Sequence, residues 1–236
     1  MRSNGKHPLI IPQNVWVLGI VSLLMDLSSE MILSILPIFL VTGLGVSVLT
    51  LGLIEGFAEG AASVIKAFSG MLSDYLKKRK ILIVIGYGLS TLTKPFFALA
   101  STATWIFTAR FVDRLGKGIR GAPRDSLIAD STSTKIRGTA YSLRQTLDTL
   151  GAVLGPIFAI IILYLTTNNF RLVLWFAVIP AVLCIVVLIF GVKESTLKKN
   201  ISRKKSYFLF ENFLKITPVI WLFFLTVFIL NLGHFS

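Results

Sequence analysis

The 236 residues carry 24 Lys and Arg against 11 Asp and Glu, a formal charge of +13, yet 54% are hydrophobic and only 15% charged. Soluble domains carry about 25% charged residues, so this is the composition of an integral membrane protein, with no stretch polar enough for a separate soluble domain. The positive charge does not call for a nucleic-acid partner, because most basic residues sit in short segments flanking apolar runs, where the positive-inside rule places them.

A tail, 1–14, precedes the first apolar run. That run is too long for a signal peptide, contains Asp26 and Glu30, and lacks a small-residue cleavage site. At about 20 residues per span, the pattern predicts membrane helices over 15–40, 49–68, 81–98, 105–127, 138–165 and 172–191. The expected fold is all-α: a six-helix membrane bundle over 15–191, a basic linker over 192–215, and the start of a seventh membrane helix over 216–236. The loops "VTGLGVSV", "STAT" and "TTNN" hold no Lys or Arg, whereas "DYLKKRK" holds four, "STSTKIR" two and "VKESTLKKNISRKK" six. This alternation predicts a multi-pass protein of a plasma (bacterial inner) membrane with the amino terminus and the basic loops cytoplasmic. Cys184, the only cysteine, lies in an apolar run, so no intramolecular disulfide and no cysteine metal cluster is expected, and no cofactor is implied.

Four of the spans carry a polar face. The first has Ser22, Asp26, Ser29 and Glu30, and the second has Glu55, Glu59, Ser63 and Lys66 among glycines spaced by four. On the fourth, Arg110, Asp113, Arg114 and Lys117 stand at i, i+3, i+4 and i+7 and share one helical face. The fifth has Tyr141, Arg144, Gln145 and Asp148. Each ionised residue facing lipid at the bilayer centre costs at least about 2.5–3.5 kcal/mol. Six embedded acids (Asp26, Glu30, Glu55, Glu59, Asp113, Asp148) and six bases (Lys66, Lys94, Arg110, Arg114, Lys117, Arg144) therefore have to turn inward around water. Two static pairs one helical turn apart are open to them, Asp113 with Lys117 and Asp148 with Arg144; the alternative for the set is a solute and proton pathway. In that pathway Asp26, near the middle of its span, is the first candidate, as the proton carrier, and Arg110, nearer the outer surface, ranks second, among the cations that would meet an anionic solute.

Three motifs carry a family resemblance. "GMLSDYLKKRK", Gly70 to Lys80, resembles the G-x-L-[AS]-D-R-x-G-R-[RK] signature of the major facilitator superfamily in its loop between helices 2 and 3. Gly70, Leu72, Asp74, Lys78 and Arg79 match, while Tyr75 and Lys77 replace the usual Arg and Gly. Gly70 can bring helices close, and Asp74 can accept from basic side chains or a helix N-terminus. "GAVLGP" resembles the G-x-x-x-G-P motif of exporters in that superfamily, in which Gly151 and Gly155 make a flat packing surface and Pro156 weakens the helix. "ARFVDRLGKG" resembles R-F-x-Q-G-x-G on helix 4, with Arg110 and Gly116 matching and Asp113 and Arg114 making the face more charged than in multidrug exporters.

The resemblance implies a secondary transporter working by alternating access between two six-helix halves, of which this chain would be the amino-terminal half, cut off inside helix 7. It implies the lipid bilayer, a small solute, protons and a carboxy-terminal half as partners. Proton-coupled export is the leading expectation. Uptake of an anionic solute or a metal chelate, or a non-transporting half that binds partner subunits, are the alternatives. An enzyme is not expected: the chain has no P-loop, no H-E-x-x-H and no G-x-S-x-G.

Overall fold

The computed structural model describes residues 11–43, 45–76 and 78–194, and Thr226. Seven α-helices account for nearly all of them: α1 Gln13–Ile38, α2 Val48–Leu76, α3 Arg79–Leu99, α4 Ala103–Ser131, α5 Arg137–Leu165, α6 Phe170–Phe176 and α7 Val178–Gly191. The 1–14 tail, the 192–215 linker and the 216–236 span expected from sequence lie largely outside the described residues.

α6 and α7 are the expected sixth span, broken at Ala177. Pro180 has no N–H for the carbonyl of Phe176 one turn earlier, and Ser28 Oγ on α1 donates to the carbonyl of Ala177 at 2.6 Å. α1 has a related irregularity. Pro37 removes one ladder bond, and the helix widens into a π-turn over Phe39–Gly43 before the chain reverses at Gly45, whose φ of +65° suits a residue without Cβ. At the next reversal on the same end, Thr102 Oγ1 caps α4 by accepting from Trp105 N. On the third, Thr167 and Asn168 take the left-handed conformation, and Asn169 Oδ1 caps α6.

Two boundaries differ from expectation. α2 runs on to Leu76, so Gly70 to Asp74 form its last turns rather than a loop, and α4 runs on to Ser131. Charge ends the apolar pattern in both segments and suggests a loop, yet nothing in "SDYL" or "IADS" breaks a helix.

Among the described residues, five segments are long and apolar enough to cross a membrane: Gln13–Gly43, Val48–Leu76, Arg79–Leu99, Arg137–Leu165 and Phe170–Gly191. α4 has the length, at 29 residues, without the apolarity. It lies inside the bundle between α2 and α3, while α1 lies between α5 and α7. Glycine permits both close crossings. A Cβ on Gly86 of α3 would stand 2.7 Å from the Gly116 carbonyl of α4, and one on Gly151 of α5 would stand 2.5 Å from the Leu23 carbonyl of α1.

Two apolar clusters hold the ends. Val15, Leu18, Met25, Tyr87, Leu127 and Leu188 fill the end carrying the basic connections. Ile32, Leu36, Phe97, Ile106 and Val173 fill the opposite end. Large apolar side chains such as Leu92, Ile160, Ile179 and Phe190 line the outer surface, where a bilayer solvates them.

Candidate functional site

Between the clusters, α1 and α5 face α2 and α4 across a cavity of about 420 Å3 in the middle and basic half of the bundle. Eight ionisable residues line it: Asp26, Glu30, Glu59, Lys66, Lys117, Arg120, Arg124 and Asp148. The charges in and around the cavity divide by how they are satisfied.

One set forms a closed lattice. Arg110 donates from Nε and Nη2 to the two carboxylate oxygens of Glu55, both at 2.7 Å, the fork geometry that suits guanidinium and carboxylate. Arg110 Nη1 also lies 3.6 Å from Asp113 Oδ2. Lys94 Nζ donates to Asp113 Oδ1 and to Ser29 Oγ, both at 3.0 Å. Arg114 joins Glu59 at 3.0 Å and Glu55 at 3.8 Å. Three cations thus meet three carboxylates, five of the six residues being buried. Removing Asp113 would leave Lys94 charged and buried with no other carboxylate within 4.0 Å among the described residues. This lattice stands between the main cavity and a smaller one of about 280 Å3 toward the opposite end, which Glu55, Arg110 and Arg114 also line.

The one-turn pairs expected from sequence fare differently. Arg144 and Asp148 do pair. Asp113 pairs with Lys94 of α3 and with Arg110, not with Lys117, because its carboxylate turns toward α3. Arg124 donates to Ser22 Oγ at 2.8 Å and Tyr87 Oη at 3.3 Å and lies 3.6 Å from Asp125. Arg144 reaches Asp125 from α5 at 4.0 Å.

A third set is left over. Asp26 and Glu30 on α1, and Lys66 and Lys117 on α2 and α4, have no counter-ion within 4.0 Å among the described residues. Arg120 joins them without a carboxylate: it donates to Ser90 Oγ, and its guanidinium lies over the Tyr87 ring, 4.4 Å from the centroid.

At the basic end, Gly70 lies against Ala122 of α4, where an added Cβ would stand 3.3 Å from Ala122 Cβ. Arg79 bridges Asp74 at 3.5 Å and Asp130 of α4 at 2.8 Å, while Asp74 itself is largely exposed. The N-terminus of α3 is taken by a residue not foreseen there: Glu194 accepts from Arg79 N and Lys80 N at 2.9 and 3.0 Å. Lys78 lies just before α3 and is exposed. Gly151 and Gly155 face α1, where a Cβ on Gly155 would stand 2.6 Å from Glu30 Cβ; Pro156 is accommodated within an unbroken α5.

Arg120, Arg124 and Asp125 extend the fourth polar face beyond Lys117 and are not among the residues expected from sequence. The signal was present: Arg120 and Arg124 follow Lys117 at i+3 and i+7 on the same stripe. Tyr87 and Ser90 had no such signal, since α3 reads as apolar.

Comparison with known proteins agrees with this architecture. The family profile described as the Major Facilitator Superfamily matches residues 18–236. An uncharacterised MFS-type transporter of Methanocaldococcus jannaschii is 34% identical over 202 residues, covering 85% of this chain and 50% of that protein. The multidrug resistance protein MdtH of Photorhabdus laumondii is 29% identical over 174 residues, covering 74% and 40%. The chain thus spans about half the length of the curated relatives it matches. Among solved structures, the human organic anion transporter MFSD10 superposes with a TM-score of 0.66 at 18% identity, covering 78% of this chain and 48% of that one. A peptide transporter POT superposes at 0.68 and 18% identity, covering 95% and 48%. The bundle, its inward charges and these matches together make the chain a member of the major facilitator superfamily of transporters.

Proposed function

We propose that the chain supplies the amino-terminal half of a secondary transporter that carries a small solute through this cavity by alternating access, exporting it in exchange for protons. The cavity carries the reading. A scaffold has no need of eight ionisable side chains around 420 Å3 of space inside a membrane bundle, where each is costly. The basic end is cytoplasmic on the charge of its connections. The resemblance of Gly151 to Pro156 to the exporter motif, with both glycines packed on α1, and the likeness to a multidrug resistance protein favour export. The same cavity would serve uptake if proton and solute moved together. The direction of the pH change inside vesicles on adding solute separates the two.

Asp26 is the proton carrier in this reading. It lies midway along α1, lines the cavity, and has no ion-pair partner among the described residues whose loss would confuse the result. The test is proton-driven transport in reconstituted vesicles, with the protein made from its complete coding sequence. Asp26→Asn keeps the shape and removes the titration, and it should abolish accumulation driven by a pH gradient while exchange without a gradient persists at higher solute concentration. Full coupling in that variant removes Asp26 from the proton path.

A further inference from the structure

The main cavity has an unbalanced remainder of charge, and that remainder describes its ligand. Glu59 is matched by Arg114. Asp148 is matched by Arg144, and Arg124 by Asp125. Five lining charges have no ion pair within 4.0 Å among the described residues. Asp26 and Glu30 stand one helical turn apart on α1, and Lys66, Lys117 and Arg120 stand opposite them on α2 and α4. The acids occupy one wall and the bases the other. Three cations face two carboxylates, an excess of one positive charge.

The separation is held by the fold. Glycines 151 and 155 press α1 onto α5 and fix the acidic wall, with Glu30 itself at the contact. On the basic wall, Tyr87 and Ser90 of α3 hold the Arg120 guanidinium in place. Lys66 and Lys117 are exposed to the cavity. Like charges gathered on one wall repel each other, and a ligand of opposite sign relieves that repulsion.

We infer that the cavity binds a small dipolar solute carrying one net negative charge, with an ammonium group toward Asp26 and Glu30 and anionic groups toward Lys66, Lys117 and Arg120. The anionic groups are two carboxylates or a phosphate, since lysine and arginine accept either. An inorganic anion leaves Asp26 and Glu30 unmatched. A polyamine leaves three cations unmatched. A neutral apolar drug leaves all five. This assignment rests on the cavity being the solute site of the proposed transporter.

The test is equilibrium binding to the purified protein, made from its complete coding sequence, in detergent without a gradient. The probes are L-aspartate, succinate, 4-aminobutyrate and putrescine, which share a four-carbon chain and differ in charge, and O-phosphoethanolamine, which replaces the carboxylates by phosphate. L-aspartate or O-phosphoethanolamine should bind about tenfold more tightly than the other three, one charge-assisted contact being worth that much. Whichever is tighter tells carboxylate from phosphate. Glu30→Gln or Asp26→Asn should reduce the preference for L-aspartate over succinate toward one, while Lys117→Gln should weaken both alike. Thermal stability without probe identifies any variant that fails to fold, and the probe ranking on the unmodified protein stands without the variants. Tightest binding of putrescine, no binding of any probe, or a preference unchanged in the folded α1 variants overturns the inference. Flux of the preferred probe in vesicles is measured separately. Selective binding without flux leaves the inference standing and removes the transport reading; flux without charge selectivity does the reverse.

Discussion

Substituting Gly155 by alanine probes the contact that sets one wall of the cavity. The new methyl would meet Glu30 Cβ at 2.6 Å and the α1 backbone, Leu27 O and Met31 N, at 3.0 Å. Ordinary contact begins near 3.4 Å, so α1 must retreat by about 0.8 Å, and backbone cannot swing aside as a side-chain tip would. Overpacking of this kind costs about 1–3 kcal/mol. Gly151→Ala would meet Leu23 O at 2.5 Å and asks for a displacement of the same helix in the same direction. One retreat relieves both clashes, so the double variant should cost clearly less than the sum of the singles. Gly88 of α3 has nothing within 4 Å and serves as the control: Gly88→Ala should be neutral or stabilise by about 0.5–1 kcal/mol through helix propensity alone. Heat-induced unfolding in detergent, followed by tryptophan fluorescence, reads all four. Wild-type stability in Gly155→Ala, or strict additivity of the pair, would refute the account of the α1–α5 contact.

Three further outcomes are expected. Asp113→Leu strands Lys94 in the bundle and should cost about 3–5 kcal/mol, whereas adding Lys94→Met removes the stranded charge and should recover most of that loss in the same unfolding assay. In intact cells an impermeant thiol reagent should label Ser101→Cys and not Lys78→Cys, against a low background because Cys184 is buried; the opposite pattern inverts the orientation. Asp74→Ala removes only an exposed, 3.5 Å ion pair, so stability should change by less than about 1 kcal/mol while turnover in vesicles slows, and unchanged kinetics would leave Asp74 without a role.

The bundle was legible because membrane helices must be long and apolar, and charge on one face of α1, α2, α4 and α5 has nowhere to go but inward. Who pairs with whom was not legible. The spacing of Asp113 and Lys117 permits a one-turn pair, yet the carboxylate is claimed by Lys94, nineteen residues earlier on another helix. Likewise, Glu194 sits among basic residues in sequence and reads as linker, but its oxygens close the amino end of α3. Sequence spacing reports which face of a helix a side chain occupies; the neighbour on the next helix depends on rotation and depth, which the glycine contacts set.

The polarity of α4 bears on how the protein is made. With Arg110, Asp113, Arg114, Lys117 and Arg120 along its middle, α4 emerging alone from a ribosome would be rejected by the lipid, at about 2.5–3.5 kcal/mol for each charge. Its counter-charges are already there. Glu55 and Glu59 belong to α2 and Lys94 to α3, both synthesised earlier, so the lattice can close as α4 arrives. Insertion of α4 is then a docking step onto preceding helices rather than a partition into the bilayer. A chain altered at Glu55 would fail first during synthesis, with α4 left outside the membrane, before any transport could be measured.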